Sequence, residues 1–218
     1  MLRAKIGDVF YAIDGTGLKF RVVINSISGS TVAGIVSNIT RLENEPYHDI
    51  CLAMGICRPA KTDYIVEKCT EIGVSSFEFY YSEKSYSKIK EDLSSARKTN
   101  RLRRIISAAV KQSRRSILPS VGEFKTFSEI LALVDKFDLS LAAVQGNPAG
   151  QIEKTVGKSP QTKKILLLVG PESGLSDDEI LAAGHAGFLP VSLGPRRLRA
   201  ETAAIVFPTL VLSYLGDL

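Results

Sequence analysis

From residue 48 onward the chain alternates short apolar runs with stretches of helical periodicity. That alternation restricts it to the α/β class, with a mostly parallel sheet covered on both faces. A parallel strand buried on both sides reads as a continuous apolar run, because neither face meets water. Lys164–Val169 is the strongest such run, and His48–Cys57, Val74–Tyr81, Leu139–Val144 and Phe188–Leu193 are weaker ones. Between them the spacing predicts a helix over Lys61–Ile72 closed by Gly73, and another over Lys98–Ser116 with Leu102, Ile105, Ile106, Ala109 and Val110 on one face. Further helices are expected over Ser128–Lys136, over Ser176–Ala183, where Ser176 and Glu179 make a capping box, and over Ala200–Tyr214, which Pro208 must bend or interrupt.

The first 46 residues have a different rhythm. Runs rich in β-branched residues are separated by Asp14-Gly15-Thr16-Gly17 and Ser28-Gly29-Ser30, which reads as a small antiparallel sheet or partial barrel. Arg41–Pro46 is polar, ends in proline and reads as a linker. The expected division is therefore residues 1–46 and 47–218.

Composition narrows the class. With 218 residues, 44% hydrophobic and 23% charged, the chain has the make-up of a soluble globular protein. It lacks the run of about 20 apolar residues that a membrane helix needs, and Met1-Leu2-Arg3-Ala4-Lys5-Ile6-Gly7 lacks a signal-peptide core. A cytoplasmic protein without a membrane partner is expected. The cysteines, Cys51, Cys57 and Cys69, are odd in number and form no C-x-x-C pair, and the two histidines, His48 and His185, are far apart. Neither a disulfide framework nor a metal site is expected, and Cys69 reads as a small buried hydrophobe. The net charge is +5. Arg97, Lys98, Arg101, Arg103, Arg104, Lys111, Arg114 and Arg115 follow one another with no acid between them. Such a row is either a solvated face or a phosphate-contacting one. The second is preferred, because unpaired cations repel one another unless an anion is near.

In open parallel sheets, ligands sit at the carboxyl ends of strands. Three short loops follow apolar strands here: Gln145-Gly146-Asn147-Pro148, Gly170-Pro171-Glu172-Ser173-Gly174, and Ser192 through Arg199. Glycine in such a loop satisfies a turn, or lets backbone N–H and C=O groups approach a ligand. Neither G-x-G-x-x-G nor a P-loop is present, so spacing alone indicates a nucleotide-like ligand and no more.

The segment Leu168-Val169-Gly170-Pro171-Glu172-Ser173-Gly174 resembles the G-P-E-G-G loop of SPOUT-superfamily methyltransferases. Leu193 to Thr202 resembles the L-G-x-R-[IV]-L-R-x-E-T-A signature of one member, the ribosomal small subunit methyltransferase E family, which makes 3-methyluridine in 16S ribosomal RNA. Lys61–Val74 and Lys111–Pro119 match two further patterns of that family, in order. The resemblance implies a C-terminal trefoil knot, an exception to the rule that chains do not thread loops. It also implies an N-terminal PUA-like β domain, a homodimer, and 16S ribosomal RNA of the small subunit as partner. It implies S-adenosylmethionine as cofactor, held by Val144, Gln145 and Gly146, by Leu168, Val169, Gly170, Pro171, Glu172 and Gly174, and by Leu193, Gly194, Arg197, Leu198 and Thr202. Arg101, Arg104, Lys111, Arg114, Arg115 and Arg196 are the residues expected to hold RNA. The sequence departs from the pattern at Ser173, where the family has a second glycine, and at Lys111, where it has an acid. Met1-Leu2-Arg3 aligns inside the family's first domain, which makes that domain look short.

Methylation of uridine N3 requires an aligned sulfonium and nucleophile, and a group that accepts the N3 proton or stabilises the uridine anion. Glu201 is a candidate base, with a first-turn acid at a helix N-terminus as the alternative. Arg199 and Arg196 are candidates to hold the uridine oxygens or a phosphate. The target base has to leave its stack. Two other readings stay open: a non-catalytic RNA-binding module with a relic pocket, and ribose 2′-O methylation.

Overall fold

The computed structural model of the chain describes residues 4–83, 95–146, 150–157 and 162–218. Asn147 and Pro148 of the first expected loop, and Met1 to Arg3, lie outside the described residues. Two compact units result: residues 1–45 with 110–118, and residues 46–109 with 119–218.

In the first unit, β1 (Val9–Ile13), β2 (Leu18–Ser28) and β3 (Thr31–Arg41) form an antiparallel sheet in the order β1-β2-β3. Shifts of register between Arg21 and Val22 and between Ile24 and Ser26 bend the long β2–β3 ribbon. The segment read as a linker is tied down. The buried Glu45 carboxylate accepts Arg115 Nε (3.0 Å) and Nη2 (2.7 Å) and the backbone N–H groups of Ser116 (2.6 Å) and Ile117 (2.9 Å). Leu42, Asn44 and Arg114, the non-glycine residues with positive φ among those described, gather at this joint.

The second unit is built on seven strands in the order β6-β5-β4-β9-β7-β10-β8, with parallel pairing throughout. They are β4 (Asp49–Gly55), β5 (Ser76–Tyr81), β6 (Ser120–Thr126), β7 (Leu139–Ala143), β8 (Gly150–Gln151), β9 (Lys164–Val169) and β10 (Leu189–Ser192). The helices are α1 (Pro59–Ile72), α2 (Ser95–Ser113), α3 (Phe127–Leu131), α4 (Ile152–Val156), α5 (Asp177–Ala186) and α6 (Ala200–Leu215). β4 and β9 are buried from their second residue on, as their unbroken apolar runs require.

Local chemistry explains several boundaries. Helix α1 starts two residues before the expected Lys61 because Pro59 presets its first turn, and it ends where Gly73 (φ 123°) lets Val74 N–H reach the Cys69 carbonyl at 3.0 Å. Ser176 and Glu179 cap α5 reciprocally, as the spacing predicts. The single helix expected over Ser128–Lys136 is instead α3 followed by a separate 3₁₀ turn over Val134–Lys136. Strand β6 escapes the apolar pattern because it is only half-buried. Gly122 interrupts it, where an added Cβ would collide with the Glu78 carboxylate. Pro208 does not break α6. Its missing N–H frees the Ala204 carbonyl, which accepts the buried Cys69 thiol at 3.2 Å. Among the described residues, no helix is long and apolar enough to cross a membrane.

Candidate active site

Three loops leave the carboxyl edge of the large sheet after β7, β9 and β10, and they enclose a cavity of about 600 Å³. Val144, Gln145 and Gly146 form one wall, and Val169, Gly170, Pro171, Glu172 and Gly174 a second. Leu193, Gly194, Arg196, Arg197 and Leu198 form the third. Twelve of the fourteen residues expected to hold a cofactor therefore meet around one space, joined by Arg196, which was expected to face RNA. The other two are corrections. Leu168 points into the core cluster of Cys51, Ala53 and Phe188, because β9 alternates its side chains and Val169 takes the cavity side. Thr202 is exposed on the first turn of α6 and does not line the cavity. Sequence patterns missed the floor: Ala143, Ile180, Ala200 and Ala203, with Asp177 of α5. The alanines sit at helical or strand spacing and carry no signal beyond small size.

The loops are shaped by close approach. A Cβ on Gly170 would lie 2.7 Å from the Leu175 nitrogen and 2.8 Å from the Gly174 carbonyl carbon, so the turn closes only on glycine. A Cβ on Gly55, at the end of β4, would lie 2.5 Å from Pro171 Cδ. Gly174 adopts the left-handed φ of 78° and donates to the Pro171 carbonyl at 2.8 Å. Ser173 has no positive φ, so its departure from the family's glycine asks nothing of the backbone that serine cannot supply. Ser192 Oγ joins two walls: it accepts Gly194 N–H at 3.2 Å and lies 3.5 Å from the Gly146 carbonyl oxygen.

Charge gathers beside the second wall. Glu172 does not cap the helix after Ser176. It accepts the Arg58 N–H at 3.2 Å, capping α1, whose own N-cap residue supplies no side-chain bond. Lys61 Nζ lies 3.7 Å from Glu172 Oε1 and 3.2 Å from Glu201 Oε2. Burial pushes the Glu172 carboxyl up, but Arg58 N–H, its own N–H, the Cys57 thiol and Lys61 outweigh it, leaving the group below its ordinary value. Burial, with the Glu172 and Glu201 carboxylates adding to it, pushes the neighbouring Cys57 thiol up to about 12. Glu201 is held below its ordinary value chiefly by its own N–H, with Lys61 and Arg199 adding to this against burial. Its carboxylate faces Lys61, and it is not among the cavity-lining residues. Arg199, the residue before α6, is exposed and also outside the lining.

The basic row divides. Arg97, Arg101, Arg103, Arg104, Lys111 and Arg114 are exposed. Arg101 is paired with Asp63 at 2.9 Å, and Lys98 lies 5.1 Å above the Phe124 ring. Arg115 is the correction: it is 3% exposed, and its guanidinium is spent on Glu45. For Arg101 and Arg115, the anion missing from the row in sequence comes from elsewhere in the chain.

Residues 43–212 match the family model described as an RNA methyltransferase domain. The ribosomal RNA small subunit methyltransferase E of Synechocystis is 32% identical over an alignment covering all of this chain and 69% of the relative. That of Bacillus subtilis is 27% identical, over all of this chain and 86% of the relative. A putative methyltransferase of Legionella pneumophila, solved with bound SAM, superposes with a TM-score of 0.84 at 27% identity, over 97% of this chain and 85% of that one.

Proposed function

From the premise that this chain belongs to the RNA methyltransferase family, among the ribosomal RNA small subunit methyltransferases E, we propose that it methylates N3 of one uridine in 16S ribosomal RNA, using S-adenosylmethionine. The observation that carries this reading is the convergence of three backbone-rich loops on one cavity at the carboxyl edge of a parallel sheet.

The residues present fit the cofactor. The cavity falls within the range of roughly 300–1,000 Å³ typical of small-molecule sites. Its walls offer unencumbered peptide groups at Gly146, Gly170 and Gly194 that suit an adenine edge, and its alanine floor suits a flat ring. When bound, S-adenosylmethionine supplies an electrophilic methyl group on a sulfonium. The protein holds the acceptor and manages charge. Arg196 and Arg197, at the third wall, hold the uridine oxygens and stabilise the uridine anion formed as the N3 proton passes to solvent water. Arg199 stands just outside them as a phosphate or uridine contact. Glu201 serves by fixing Lys61, and through it the second loop.

RNA is held by phosphate contacts from Arg101, Arg104 and Lys111 of α2 and from Arg114 just past its end. The first unit, residues 1–45 with 110–118, corresponds to a PUA-like domain, and the second, residues 46–109 with 119–218, to the methyltransferase domain. The reading includes a C-terminal trefoil knot, supported by the return of α6 from beyond β10 to pack on α1, β4 and β9, and it includes a homodimer.

Two measurements test this. Calorimetry of the purified protein with S-adenosylmethionine is expected to show saturable binding, and no binding sinks the enzyme reading. Mass spectrometry of 16S ribosomal RNA from a deletion strain is expected to show 3-methyluridine lost and restored on complementation. An unchanged 3-methyluridine with a lost 2′-O-methyl nucleotide selects ribose methylation instead.

A further inference from the structure

The second loop is held from behind by the end of β5, a strand that contributes nothing to the cavity. Strand β4 lies between β5 and β9, yet the buried Tyr80 hydroxyl donates to the Val169 carbonyl at 3.0 Å. The Tyr80 ring therefore spans β4, next to Gly55, its register partner, which has no side chain to obstruct it. Val169 is the last residue of β9 and immediately precedes Gly170. Two residues past Tyr80, Ser82 Oγ donates to Glu179 Oε2 at 2.9 Å, and Glu83 N–H donates to Glu179 Oε1 at 2.9 Å. Glu179 is 6% exposed and also accepts Ser176 N–H at 2.9 Å, while its own N–H donates to Ser176 Oγ at 3.1 Å. The end of β5 thus grips the loop before Gly170 and again after Gly174.

We propose that Tyr80 and Ser82, with Glu179, are positioning residues that set the shape of the cofactor loop from outside the cavity. The inference rests on the reading that this cavity binds S-adenosylmethionine. A carbonyl at the end of a central strand would otherwise be a buried acceptor without that donor, and such a group costs most when its partner is removed. Burial, with Glu179 and Cys57 nearby, raises the Tyr80 hydroxyl well above its ordinary value, so it stays a donor at any working pH. The loop it fixes is the one in which Gly170 and Gly55 leave no slack: a displacement of Val169 passes directly into the cavity wall.

Tyr80→Phe keeps the ring and removes only the hydroxyl. It is expected to weaken S-adenosylmethionine binding about fivefold by calorimetry, and to raise its KM by a similar factor. The kcat at saturation is expected to stay within about twofold. Ser82→Ala is expected to do the same to a smaller degree, which keeps the test available should Tyr80→Phe fold poorly. Ser140→Ala, removing a buried hydroxyl of β7 with no hydrogen-bond partner among the described residues, is the control and leaves both constants unchanged. Variants that bind the cofactor as tightly as the wild type overturn the brace alone. So do variants whose kcat falls with KM unchanged. A wild-type protein that binds no S-adenosylmethionine overturns the cavity reading, and the brace with it.

Discussion

The two sheets use similar residues under opposite conditions. In β9, Ile165 to Leu168 are fully buried, while in β3 Ile35 is 61% exposed and Ile39 is 55% exposed. The seven-stranded sheet is covered on both faces, so every apolar side chain in its central strands contributes to stability. The three-stranded sheet buries Val22 and Ile24 but leaves much of its apolar surface in solvent. Its unit draws instead on a polar joint, the carboxylate of Glu45 with four donor groups around it. Apolar content by itself therefore does not report where stability lies.

The hardest test of that contrast is Arg115→Ala, which leaves the buried Glu45 carboxylate without its opposite charge; it is expected to cost about 4 kcal/mol in chemical denaturation. If the loss is under a quarter of that, the joint is not what holds the first unit. Next comes a matched pair of truncations. Leu167→Ala in β9 should cost about 3 kcal/mol through transfer and cavity terms, whereas Ile35→Ala in β3 should cost less than about 0.5 kcal/mol. Equal losses would erase the distinction between the sheets. Cys69→Ala removes the donor that serves the Ala204 carbonyl opposite Pro208, and a loss of about 2 kcal/mol is expected. Cys69→Ser, which keeps a donor there, should recover part of it.

A smaller effect of opposite sign is expected at Arg114, which holds φ 59° just past the end of α2. Arg114→Gly should stabilise the chain by about 1 kcal/mol while weakening RNA binding and flattening its salt dependence. The smallest effect concerns acid. Glu172 and Glu201 are both depressed in the folded protein from an ordinary 4.5. Their contribution is therefore complete above pH 4.5 and is lost as pH falls through the lowered folded values. Lys61→Met should be less stable than the wild type above that pH, and the gap should close below it. A gap that widens in acid would contradict the assigned direction of both shifts.

Much of the second unit was legible in the sequence because its signals are local. The apolar run of β9 marks a strand buried on both faces, and Ser176 with Glu179 marks the start of α5. Gly73 marks the end of α1, and glycines after apolar strands mark the loops that close the cavity. Edge strand β6 was not legible, since a half-buried strand interrupted by Gly122 has neither a continuous nor a cleanly alternating pattern.

What the sequence by itself determined is most of the strands and helices, with β6, β8 and α4 excepted, and which loops carry the cofactor motif, because periodicity and caps act within a few residues. Only the tertiary structure decided that Arg115 belongs to Glu45 and not to the basic surface, and that Glu172 caps α1 and not α5. It likewise decided that Cys69 makes Pro208 tolerable within α6, and that Tyr80 reaches Val169 across β4. Each of those pairings joins groups 70 to 135 residues apart in the chain. A buried polar group takes whichever partner the packing brings to it, and no local pattern encodes that choice.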